Sequence, residues 1–308
     1  MNGLMTTDAA FGHEADLFND IKRVGWGSTP FYTSLMAKAP SGKTKSYFGH
    51  KWLYEEIPDG DADNAYIEGS AAAASIVEQL GEMTNHYQIF KDTYGVSGSE
   101  DAATGVDGKK ELGRQFALKT IKHRKSIEKA LLSATAPLQR VNTGTKAAGK
   151  LGGVKHFLTA NNDFDMTAGG VGTALTWQIL REILKPGFRN DIPMRVLMMN
   201  DQQKDAIDDI LFSKTTGTMF NASRIDNNIT EIGQTAYGNN IKVILSPFLA
   251  QDEILAYNPE YVNPVIYRPT KKTPIPGGDD ATIEQLITEM TLRVSHPYAI
   301  CRLKGLAV

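Results

Sequence analysis

The 308-residue chain has one cysteine, Cys301, which leaves no partner for an internal disulfide and too few thiols for a cysteine-rich zinc module. Its six histidines, at positions 13, 50, 86, 123, 156 and 296, form neither a helical pair nor a tight ligand cluster, so no spacing supports a metal site. No apolar run approaches the roughly 20 residues that cross a bilayer. Residues 1–20 carry acids and lack a continuous apolar stretch, which reads as a chain of cytosolic origin without a secretory signal. An excess of one charge is missing too: 33 basic residues face 35 acidic ones, for a formal net charge of −2. That balance excludes a histone-like polycation but leaves local patches open.

Catalytic motifs are equally scarce. No Gly-x-Ser-x-Gly elbow occurs. Gly144 to Lys150 matches most of a phosphate-binding loop, but Leu151 stands where a hydroxyl should bind magnesium, and no strand precedes it. Gly42-Lys43-Thr44 lacks the first glycine of that motif, and Gly170 to Leu175 departs from the dinucleotide pattern at its third position. Glycine-rich turns explain all three. Cys301 sits in an alternating terminal strand, where it reads as a small core hydrophobe. No cofactor is called for.

What remains is a chain of 41% hydrophobic and 22% charged residues, ordinary for a globular protein and long enough for one large core or two modest ones. A short helix fits 16–24, and Gly25-Trp26-Gly27-Ser28-Thr29-Pro30 breaks it. This N-terminal arm has apolar anchors and packs either on its own domain or on a neighbouring chain. Residues 45–56 are aromatic and strand-like, 58–64 form a polar turn, and 65–67 begin a second extended stretch, together a long hairpin. After Ser70 comes a short apolar helix or strand, then an alternating segment at 82–94 and a Gly/Ser loop at 95–108. The strongest helix spans 109–132, with Leu112, Phe116, Ile127, Ala130 and Leu131 on one face and Pro137 as its stop. Loop composition marks 141–153. Helices fit 173–184 and 200–212, with a strand at 194–199 between them. Gly238-Asn239-Asn240 reads as a hairpin turn, 253–256 and 265–268 as short strands, 269–280 as a linker, and the terminal region as alternating strand.

Charge is distributed unevenly. Between Glu55 and Glu68 lie six acids and no base, while the helix from Lys109 to Lys129 carries eight bases against two acids. The hairpin therefore sums to −6 and the helix to +6.

The order of these features resembles a major capsid protein of the tailed phages. Thr29-Pro30-Phe31, Trp52 to Glu56, Ile67-Glu68-Gly69, the stretch from Gly113 to Glu128, Met198-Met199-Asn200, Ser246-Pro247-Phe248, Tyr267-Arg268-Pro269 and Thr291-Leu292-Arg293-Val294 carry the likeness in sequence order. The resemblance implies an α+β Hong Kong 97-like fold: an N-terminal arm (1–40), an extended loop (41–75) and a peripheral domain (76–170) with its spine helix at 109–132. An axial domain (171–275) and a C-terminal return to the peripheral domain (276–308) complete it. It implies a structural protein that assembles into hexamers and pentamers of an icosahedral head around double-stranded DNA, formed in the host cytoplasm and retained in the virion. Separate scaffold, portal and decoration proteins are the implied partners, with no membrane. Lys43, Lys45 and Lys51 stand near the loop, but no acceptor-and-acid pattern for covalent cross-linking accompanies them.

The alternatives are an encapsulin-like compartment shell and a soluble enzyme with a site assembled across loops. Expected inter-subunit contacts are Phe31, Trp52, Tyr54, Glu55, Glu56, Asp59, Asp61, Asp63 and Glu68, with Arg114, Lys122, Arg124 and Lys125 on the basic helix. The acidic loop would lie across the peripheral region of an adjacent subunit, attracted by that helix. A rival assignment turns the helix toward DNA phosphates.

Overall fold

The computed structural model describes residues 25, 27–37, 49–71, 79–103, 110–167, 170–215, 231–235, 238–276 and 280–308. The expected helix at 16–24, Trp26, Lys43, Lys45 and most of the apolar stretch after Ser70 lie outside them. In chain order come helix α1 (Pro30–Met36), strands β1 (His50–Tyr54), β2 (Gly81–Asn85) and β3 (Gln88–Ser97), and helix α2 (Gly98–Ala102). The long helix α3 (Glu111–Leu131) leads to a 3-10 turn at Val154–Phe157, strand β4 (Asp163–Asp165), and helices α4 (Trp177–Glu182) and α5 (Lys185–Arg189). Strand β5 (Val196–Met199), helix α6 (Asp201–Thr215) and strands β6 (Glu231–Thr235), β7 (Gly238–Leu245) and β8 (Ile254–Tyr257) follow. The chain ends with β9 (Val262–Ile275), β10 (Ala281–Val294) and β11 (Ile300–Lys304).

Three sheets organise these elements. A six-stranded mixed sheet runs in the order β4-β11-β8-β5-β7-β6, a three-stranded antiparallel sheet in the order β3-β10-β9, and β1 pairs only with β2. Strands β5 and β8 are buried at every position, because cores lie on both faces of the large sheet. Val196, Met198, Leu255 and Tyr257 face a core shared with α1, α3 and β10. Leu197, Met199, Ile254 and Ala256 point the other way, toward α4 and α6. Side chains alternate across a strand, so a strand between two cores reads as a continuous apolar run.

The small sheet is covered on one face by α3. Phe90, Asp92, Tyr94 and Val96 of β3 are buried there, while Ile89, Lys91, Thr93 and Gly95 are exposed on the opposite face. Two antiparallel connections join the small sheet to the large one, with Ser295 N donating to Tyr261 O at 2.7 Å and Asn258 N to Ala299 O at 2.9 Å.

Several expected boundaries move. The partner of the strand around Trp52 is Gly81–Asn85, not 65–67, so the loop between them is longer than a simple hairpin. Residues 95–97 extend β3 and 98–102 are helical, where a loop was expected. Gly238-Asn239-Asn240 lies within β7 rather than at its turn, because Thr235 already pairs with Gly238. The expected linker from Pro269 is strand as far as Ile275. Strand β9 belongs to the small sheet, although the 275 boundary grouped it with the axial domain, and β11 lies in the large sheet rather than returning to the small one.

Candidate functional site: an acidic loop and a basic helix

The root of the extended loop is fixed from three sides. In β1 the side chain of Trp52 turns inward, 6.0 Å from the Phe157 ring, while Lys51 points out to Glu82 at 2.6 Å. Gly81 lies against the Tyr54 ring so closely that a Cβ would sit 2.3 Å from its Cζ, so any side chain there would have to displace the ring. At the other end of β2, the buried amide of Asn85 donates to Gly152 O at 3.0 Å and Leu292 O at 2.7 Å. Its carbonyl accepts from Gly152 N at 2.7 Å and His86 N at 2.8 Å. This one side chain joins β2, the segment after α3 and β10. His296 meets the Tyr54 ring edge-on at 5.2 Å, with Nε2 3.7 Å from Glu56. Burial lowers its pKa, and Glu56 partly opposes that shift.

Beyond Tyr54 the chain leaves the body. Residues 55–71 are exposed at every position. Ile57 is 94% exposed, Ile67 85% and Tyr66 66%, so three large and largely exposed apolar groups stand among six carboxylates. Exposed apolar groups gathered on one projecting segment mark an interaction surface.

Helix α3 buries His123, Ile127, Glu128 and Leu131. Its sequence charge is partly answered within the chain. Arg114 binds Glu111 through Nε at 2.6 Å and Nη2 at 2.5 Å, and these bonds, with that from Gln115, bring the Glu111 carboxyl down to about 2. Lys122 reaches Asp92 at 3.1 Å. Lys110, Lys119, Arg124, Lys125 and Lys129 have no acidic partner among the described residues.

Glu128 has a role that its charge alone did not reveal. Its carboxylate accepts from Phe31 N at 2.9 Å and Tyr32 N at 2.7 Å, the open amides at the start of α1, where the N-cap Thr29 makes no side-chain bond. Ser34 Oγ and the Tyr257 hydroxyl, 2.7 Å apart, hold the same helix from below. We expect Glu128→Ala to cost about 2–3 kcal/mol, since two buried amides lose their acceptor. Burial is the largest influence on the Glu128 carboxyl and raises its pKa. The group's contribution is therefore greatest below the ordinary carboxylate range and declines as pH rises through the raised value. Thermal melts at several pH values should show the gap between wild type and Glu128→Ala narrowing as pH rises, and Glu128→Gln, which cannot ionise, should lack this group's pH dependence.

Two of the expected contact residues are corrected. Phe31 is buried at the heart of the chain's own core, 5.1 Å from the Tyr257 ring, and Trp52 is 6% exposed, so neither offers a surface to a neighbour. Tyr54 is half-buried, whereas Glu55, Glu56, Asp59, Asp61, Asp63 and Glu68 all lie on the exposed loop. Lys122 and Arg124 are exposed, Lys125 and Arg114 half-buried. The acids of the loop stand out in the sequence, but Ile57, Tyr66 and Ile67 were missed there; their interruption of an otherwise polar run was the available signal. Cys301 is buried, and burial pushes its thiol up to about 12, which removes it as a nucleophile. Among the described residues no group of His, Cys, Asp and Glu could hold a metal ion, and no helix is long and apolar enough to cross a membrane.

A double-cored body with an acidic, apolar-tipped loop projecting from it has the architecture of a shell subunit of the Hong Kong 97 type. The chain belongs to the SU10 major capsid protein family, whose model matches residues 3–307. No curated protein matches it in sequence. Among solved structures it is similar to a cyanophage A-1(L) capsid chain, with 12% identity, a TM-score of 0.70, and 99% of this chain and 100% of that one covered. A capsid chain of a native GTA particle gives 15% identity and a TM-score of 0.65, with both chains covered completely. The SrpI encapsulin of Synechococcus elongatus PCC 7942 gives 10% and 0.58, with 100% of this chain and 97% of that one covered. Identities this low speak for the fold. The family makes this chain a structural capsid protein rather than an enzyme, one that self-assembles into a multimeric shell and resides in the virion capsid.

Proposed function

We propose that the protein assembles in the host cytoplasm into hexamers and pentamers that close an icosahedral head around double-stranded DNA. The observation that carries this reading is the loop at 55–71, whose three exposed apolar side chains and −6 charge need a partner outside the chain. The loop reaches an adjacent subunit through Tyr54, Glu55, Glu56, Asp59, Asp61, Asp63 and Glu68. The basic groups Arg124 and Lys125, with Lys122 and Arg114 more weakly, attract it over distance, an effect that steers association more than it fixes affinity. Many such contacts repeated about symmetry axes make a closed shell from individually weak interfaces. DNA is held through phosphate contacts without sequence readout, and scaffold, portal and decoration proteins are separate chains. The sheet pairing supports a peripheral domain built on β3, α3, β9 and β10 and an axial domain built on the large sheet, with the division near residue 258.

Negative-stain microscopy of the purified protein tests the reading. Closed shells or rings of five and six subunits are expected. A small monodisperse particle at every salt and protein concentration would overturn it. Heads filled with nucleic acid separate this function from that of a compartment shell, which would enclose protein.

A further inference from the structure

Two strands that meet at the root of the extended loop carry polar atoms that the fold leaves unsatisfied. On β1 these are His50 Nε2 and Trp52 Nε1, and on β10 they are Thr291 Oγ1 and Arg293 Nε. All four are buried, and none has a hydrogen-bond partner among the described residues. Alternation puts each pair on one face of its strand. The His50 and Trp52 rings are stacked, with centroids 5.5 Å apart and planes at 29°. Asn85 brings the two strands together, since it lies opposite His50 in the β1–β2 ladder and donates to Leu292 O, between Thr291 and Arg293. Tyr54, next along the inner face of β1, meets His296 just beyond the end of β10. Burial lowers the His50 pKa and the Arg293 charge lowers it further, so the guanidinium stands within electrostatic reach of the imidazole.

The chemistry of these four groups is one-sided. An indole N–H and a guanidinium Nε–H can only donate, a hydroxyl can donate, and a neutral imidazole donates from whichever nitrogen holds its proton. Arg293 has no acidic partner among the described residues. A half-buried cation beside further unsatisfied donors is completed by an acceptor that carries negative charge. Trp52 and Thr291 are closed to a bulky group, whereas the half-buried His50 and Arg293 leave a way in for a small ion. We propose that the junction of β1 and β10 binds a small monovalent anion of chloride size, held by Arg293 Nε, Trp52 Nε1, His50 Nε2 and the Thr291 hydroxyl. The bound ion adds a charged link between the two strands beside the neutral one through Asn85, and so fastens the root of the extended loop to the small sheet.

Chloride itself is the probe, with full-length unassembled protein. The chloride NMR line should broaden when protein is added, and bromide should reverse the broadening. In sodium chloride at about ten times Kd, Tm should lie about 3 °C above that in sodium gluconate of equal ionic strength, whose anion is too large to enter. Arg293→Gln should abolish both effects. Trp52→Phe, which keeps an aromatic ring and loses the N–H, should weaken chloride binding by about ten-fold. Lys51→Gln, on the outer face of the same strand, should change neither effect. Absence of broadening with wild-type protein would overturn the assignment, as would broadening that survives Arg293→Gln or falls equally in Lys51→Gln. If Arg293→Gln does not fold, Trp52→Phe decides, and chloride binding as tight as that of wild type would overturn the assignment.

Discussion

Asn85→Ala is expected to destabilise the unassembled protein by about 3–5 kcal/mol, since each buried polar group left without a partner costs about 1–3 kcal/mol. The groups at stake are Gly152 N, Gly152 O and Leu292 O, all bonded to this one side chain. Asn85→Asp, nearly identical in shape, should be about as damaging, because a carboxylate cannot donate to the two carbonyls and would carry charge into a fully buried position. Urea unfolding followed by tryptophan fluorescence reads both effects. An Asp variant as stable as wild type would show that the amide's donors do not matter. The position also sits opposite His50 in the β1–β2 ladder, so its loss loosens the root from which the extended loop projects.

Replacing Ile57, Tyr66 and Ile67 together with serine should do the reverse, leaving the monomer intact while preventing assembly. All three are largely exposed and none belongs to either core, so the free subunit loses no core contact. In the shell each would be removed from water. Burying a large apolar side chain is worth about 1.5–3 kcal/mol, so the three together weaken each loop contact by at least about a hundred-fold. Circular dichroism melts unchanged beside light scattering that shows no shells is the expected pair of results. Normal shells from the triple variant would remove the loop tips from the interface.

Much of this design is legible in the amino-acid sequence. The 3.6-residue period of Leu112, Phe116, Ile127 and Leu131 places α3 to within two residues, and the run of acids locates the exposed loop. Strand β9 is obscured for a physical reason. Its Pro269 and Pro274 read as linker, yet proline is tolerated on an edge strand, and β9 is an edge of the small sheet. The turn between β6 and β7 misleads similarly, since the Asn-rich stretch at 238–240 is absorbed by strand pairing. Glu128 shows a deeper limit. In sequence it is one of two acids on a basic helix, and its function exists only because α1, 96 residues away at Tyr32, ends its approach there.

Strands β9 and β10 are 14 residues each, and at about 3.3 Å per residue they form a beam about 45 Å long. Its base, near Val262 and Val294, is set in the core shared with the large sheet, while α3 lies along one face of it. Such a beam works as a lever: a tilt of about five degrees at the base carries the far end through about 4 Å at that strand length. In the head proposed above, subunits meeting five-fold and six-fold neighbours would need different inclinations between the two sheets. A few degrees of flexure where the hairpin meets the large sheet would supply them without breaking the ladder between β9 and β10.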